Sequence, residues 1–146
     1  VPHPATIAIL ARATHADPEP LLLLRREALL APYVPADQPG LTREAMAQRL
    51  GRSCEGLRVR SRRPTPHRVL ARRTGLSEAV VAARMQGRWL RTRYAAVMEA
   101  ELVALLRALG VPAVLHYLWV VPARRAWDRA MRLRLDSACP GRYRRR

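Results

Sequence analysis

Apolar positions recur every three or four residues through most of the chain, which predicts helices. The clearest case is Leu90–Leu109. Leu90, Tyr94, Val97, Met98, Leu102, Leu105, Leu106 and Leu109 form a stripe, and Arg91, Arg93, Glu99, Glu101 and Arg107 fall largely elsewhere. Gly110 and Pro112 end that helix. A stripe this broad serves either an internal core, the preferred reading, or the seam of a homodimer. A first helix is expected over Pro4–Ala16, with Ile7, Leu10 and Ala11 on one side. Asp17 and Pro18 then open a second over Glu19–Ala31. Leu21 to Leu24, Leu29 and Leu30 make this second helix very apolar, so central core is expected, with a subunit interface next and a buried strand over 20–24 also compatible. Residues 32–41, with three prolines and a glycine, read as a linker. Near the other end, the run Val114–Val121 suits a strand or a buried helix that Pro122 interrupts. A basic helix over 123–135 follows, with Ala126, Trp127, Ala130, Met131 and Leu135 inward.

Between these segments the pattern shortens. In 42–63, TREAMAQRLGRSCEGLRVRSRR, Ala45, Met46, Ala47 and Leu50 supply one inner face, and Thr42 can cap the start. Gly51 can end that helix, and Ser53 can cap a second that carries Leu57 inward. The next stretch repeats the design at an offset of 24: Ala71 follows Ala47, Gly75 follows Gly51, Ser77 follows Ser53, Val81 follows Leu57 and Arg84 follows Arg60. Thr65 and Pro66 open its first helix, and Ser77 caps its second, with Val80, Val81 and Met85 as inner contacts.

Residues 42–63 resemble a bacterial or phage helix-turn-helix, through the threonine start, Ala47, Leu50-Gly51 at the turn, Arg52-Ser53 and the inward Leu57. The stretch LARRTGLSEAVVAAR at 70–84 is similar to the same pattern and departs from it at Thr74, where the first unit has Leu50. The resemblance implies two tandem units that present short helices to a DNA major groove. The expected fold is all-α: a compact multi-helix bundle containing two tandem helix-turn-helix-like units. Its expected parts are an apolar N-terminal helical hairpin at 1–34, a DNA-binding region at 42–90, a long helix with a C-terminal packing or dimerisation region at 91–136, and a basic tail at 137–146.

Charge strengthens the nucleic-acid reading. The net charge is +16, and every one of the 27 basic residues is arginine. Lysine, asparagine and phenylalanine are absent, which points to a G/C-rich genome and accounts for part of the arginine excess. Codon bias does not account for its placement. Residues 1–40 carry three arginines against four acids, and residues 41–146 carry 24 against seven. The surplus begins where the helix-turn-helix pattern begins, and such a surplus favours a polyanion.

Within the first unit, Cys54, Glu55 and Arg58 fall on the front of the second helix and are the candidates for reading bases. Arg58 can meet guanine with two hydrogen bonds. The matching front of the second unit, Glu78, Ala79 and Ala82, offers little base-reading chemistry. Arg52, Arg60, Arg62, Arg63, Arg68, Arg72, Arg73, Arg84 and Arg88 are candidates for phosphate. The stripe residues Leu90, Tyr94, Val97, Met98, Leu102, Leu105 and Leu109 form the candidate interaction face.

No glycine-rich phosphate loop or metal-ligand spacing is present, and Asp128 and Asp136 sit among arginines, so a non-enzymatic role without cofactor or metal is expected. Two cysteines make no disulfide framework. The opening residues lack a basic leader, and no run approaches a membrane span, so the expected compartment is the cytoplasm. The function expected is sequence-specific double-stranded DNA binding in transcriptional regulation. The alternatives are an accessory subunit that processes or organises DNA, and a phage-type protein that binds transcription machinery. RNA also fits arginine-rich helices.

Overall fold

The computed structural model describes residues 1–89 and 94–138. All regular elements among these residues are helices, and the chain divides into two compact units, Val1–Val34 and Pro35–Arg146.

The first unit pairs α1 (Pro4–Ala13) with α2 (Glu19–Leu30), followed by a 3-10 turn at Ala31–Tyr33. Asp17 accepts the Glu19 amide at 3.0 Å, and Pro18 leads into α2. Ile7, Ala11 and Leu30 are buried, but Leu21, Leu23, Leu24 and Leu29 are exposed. The expectation that the leucine run is central core is therefore corrected. A helix that is apolar nearly all round needs neighbours on several sides, and α2 packs on one short helix within its unit.

The second unit is a helical bundle built on α3 (Arg43–Val59). It continues through α4 (His67–Thr74), α5 (Glu78–Met85), α6 (Ala95–Ala108), a 3-10 turn at Ala113–Leu115 and α7 (Tyr117–Ala138). α3 packs on α5 and α7, α4 on α5 and α6, and α6 on α7. The core draws Met46, Leu50, Cys54 and Leu57 from α3, Leu70 from α4 and Val81 from α5. Met98, Leu102, Leu105 and Leu106 come from α6, and Trp119, Ala123 and Ala126 from α7.

Thr42 caps α3 as expected, its Oγ1 accepting the Ala45 amide at 3.1 Å. The helix then runs without a break where a turn was expected. Gly51 is helical, and its missing side chain lets α3 meet the chain after α5: a Cβ there would stand 2.3 Å from the Gly87 nitrogen. Ser53 is not a cap but a buried acceptor inside α3, taking the Trp119 indole N–H at 2.7 Å. The first of the two expected units is thus one continuous helix over most of its length, and the offset of 24 is not a structural repeat.

The second pair does form. α4 ends at Gly75 in the left-handed region (φ +75°), and Ser77 caps α5 by accepting the Val80 amide at 3.2 Å. Thr74 closes the turn, its hydroxyl donating to the Leu70 carbonyl at 2.7 Å and accepting the Leu76 amide at 3.2 Å.

Val114–Val121 is neither a strand nor cut off by Pro122. It spans the 3-10 turn and the start of α7, which carries the buried Pro122 within it and continues into the basic segment. No helix among the described residues is long and apolar enough to cross a membrane.

Candidate nucleic-acid interface

The loop 60–66 and α4 carry six arginines between them, and Arg58 holds that loop in place. The Arg58 guanidinium grips Glu55 through Nε to Oε2 at 2.8 Å and Nη2 to Oε1 at 2.5 Å, and Nη1 donates to the Thr65 carbonyl at 3.2 Å. The Thr65 amide in turn donates to the Arg58 carbonyl at 3.1 Å. The hydrogen bonds from Arg58 hold the Glu55 carboxyl below its usual range. With three donors spent and its side chain 17% exposed, Arg58 brackets the loop instead of presenting a free fork to a base edge. Its expected base-reading role, and that of Glu55, are corrected on that ground.

Cys54 is also corrected, because it is fully buried on the inner side of α3. Burial pushes its thiol up to about 12 from an ordinary 9.0. The folded chain therefore keeps a proton that the unfolded chain sheds, and this contribution to stability is complete below pH 9 and lost as pH rises toward 12. Alkylation at pH 8 followed by peptide mapping should leave Cys54 unlabelled in the folded protein and labelled in urea. Equal labelling in both would contradict its burial.

The arginines proposed for phosphate divide into two groups. Arg84 is 6% exposed and turned inward, donating from Nε to Glu101 at 2.7 Å and from Nη1 to the Arg88 carbonyl at 2.6 Å, with its guanidinium 5.5 Å from the Trp89 ring centre. A phosphate role for Arg84 is overturned by this burial. Arg60 and Arg73 donate to the Leu109 and Ala108 carbonyls at 3.1 and 3.0 Å, satisfying the end of α6 where the helix dipole favours cations. Their charge serves that helix end. Arg88 is exposed and pairs with the Gln86 side chain.

Arg52, Arg62, Arg63, Arg68 and Arg72 are exposed, and their side chains make no hydrogen bond or ion pair among the described residues. Arg68 and Arg72 stand four residues apart on one face of α4, and Arg62 and Arg63 lie in the loop that feeds it. His67, the first residue of α4, lies near enough to Glu55, in the last third of α3, to help lower its pKa. On α5, Glu78 and Ala79 are exposed and Ala82 is half-buried, so its outer side carries no cation.

The candidate interaction face is mostly core. Met98, Leu102, Leu105 and Leu109 are buried, Tyr94 and Val97 are exposed, and Leu90 lies outside the described residues, as do Arg91, Arg93, Cys139 and the tail. Four of the seven stripe residues are thus used inside the bundle.

No group of three metal-ligating side chains occurs among the described residues. Two further features carry no sequence signal. One is a cleft of about 690 Å³ between α3 and α5, lined by Gln48, Ala79, Val80 and Ala83 among others. The other is a smaller cleft where Arg43 and Arg129 meet from α3 and α7. Neither is visible in any local motif, since only the folded chain brings these residues together. Comparison with protein-family models, with curated proteins and with solved structures gives no match.

Proposed function

We propose that this protein binds double-stranded DNA, with Arg62, Arg63, Arg68 and Arg72 on the backbone phosphates and Arg52 at the edge of the contact. The observation that carries the reading is the division of labour among the arginines. Arg58, Arg60, Arg73 and Arg84 are engaged internally, while those four stand exposed and without an internal partner on one loop and one helix face. Like charges held together repel, and a polyanion relieves that repulsion. In this reading α4 and α5, joined at Gly75, act as a helix-turn-helix whose cationic side is its first helix. Phosphate contact then dominates affinity, and sequence preference is modest. A role in transcriptional regulation follows if such a preference exists.

The test is selection from a randomised duplex pool at moderate salt, with a matched RNA duplex as competitor. Retention with a steep salt dependence and an enriched motif supports a sequence-specific regulator. Retention without a motif leaves a DNA-organising protein. Failure to retain duplex DNA, or displacement by RNA at equal concentration, overturns the proposal.

A further inference from the structure

Arg43, the first residue of α3, is 8% exposed, and its guanidinium makes no hydrogen bond among the described residues. Its Nε is buried without an acceptor. Its ionic neighbour is Glu44, whose carboxylate stands 3.8 Å from Nη2 and is itself 59% exposed. An arginine cannot shed its charge, and a buried one left without acceptors is unfavourable. Arg129, reaching over from α7, donates from Nη2 to the Leu41 carbonyl at 2.8 Å, but its Nε is likewise buried without an acceptor. Both arginines line one cleft of about 230 Å³.

The start of α3 opens on the same cleft. Thr42 takes the Ala45 amide on its hydroxyl and the Met46 amide on its carbonyl. The Arg43 and Glu44 amides, like all first-turn amides, have no acceptor within the helix. The positive end of a 17-residue helix thus adds to two guanidinium groups. A planar carboxylate satisfies one fork. Donors arriving from two helices and a helix end match a tetrahedral oxyanion, which accepts on every side.

We propose that this cleft binds a phosphate group, held by Arg43 and Arg129 at the N-terminus of α3. By its length α3 places this site about 25 Å from the arginine loop at its other end. The phosphate is either that of a free small molecule or one in a nucleic-acid backbone. The site does not depend on the DNA-binding reading.

Inorganic phosphate is titrated into the full chain at constant ionic strength, with chloride as the baseline, and followed by calorimetry and thermal unfolding. The wild type should show saturable binding and a raised Tm. Arg43→Gln and Arg129→Gln should each bind about tenfold more weakly or worse. Leu133→Glu, at an exposed position on the rim of the cleft, should weaken binding without disturbing the fold, and it carries the test if Arg43→Gln does not fold. The salt dependence of duplex binding separates the sources. A slope reduced by about one in Arg129→Gln assigns the site to a backbone phosphate, and an unchanged slope with saturable phosphate binding assigns it to a free one. Phosphate binding that persists when no duplex binds removes only the DNA reading. The proposal is overturned if phosphate adds nothing beyond chloride and the slope is unchanged, or if the variants bind phosphate as well as the wild type.

Discussion

Gly51→Ala is expected to lower the unfolding free energy by about 2–3 kcal/mol, the scale of overpacking in a tight interior. The new Cβ would lie 2.3 Å from the Gly87 nitrogen and 2.5 Å from its Cα. Neither atom belongs to a flexible side chain, so α3 and the segment after α5 must separate. Gly87 cannot adjust by changing identity, because it sits in the left-handed region at φ +81°. The sign of the effect is diagnostic. At an open helical position the same substitution gains about 1 kcal/mol from helix propensity. Gly75→Ala is the control: its Cβ meets nothing within 4 Å, so it bears only the left-handed penalty of about 1–2 kcal/mol. Urea unfolding measures all three proteins. A Gly51→Ala variant as stable as the wild type would remove the close crossing.

Replacing Arg62, Arg63, Arg68 and Arg72 together by alanine should weaken duplex binding by about 10²- to 10³-fold at moderate salt. Each phosphate contact contributes about 0.9 to the slope of affinity against salt, so the slope should shrink by about three to four if all four engage. Stability should change little, because the four side chains are exposed and without partners in the fold. The comparison variant is Arg58→Ala. It removes the bracket between Glu55 and Thr65 and should cost stability, with any loss of binding following from the disordered loop. Unchanged affinity in the quadruple variant would place the DNA-binding surface elsewhere or remove it.

The helix pattern was legible where one face repeated. α1 and α2 stand where the spacing places them, and the caps at Thr42 and Ser77 stand where the residues suggest, but α6 starts at Ala95 and not at Leu90, with Tyr94 extended ahead of it. The expected turn at Gly51 does not form, and the sequence hides this because a glycine has the same letter whether it ends a helix or lets two backbones touch. The telling difference lay one residue earlier. Thr74 can hydrogen-bond both ways across a chain reversal and does so, whereas Leu50 can only pack and is fully buried. The departure of the second unit from the pattern marked the place where the chain turns. The arginines resisted reading for a related reason. Nothing local distinguishes Arg72, which faces solvent, from Arg73, which reaches the end of α6 from the next position on the same helix.

All three tryptophans lie in the second unit, and Trp89, Trp119 and Trp127 are at most 2% exposed. The emission of the folded protein should therefore be blue, and its red shift on denaturation should report the bundle alone. The helical pair at Val1–Val34 contains no indole and can melt without changing that emission, so circular dichroism and fluorescence together separate the unfolding of the two units.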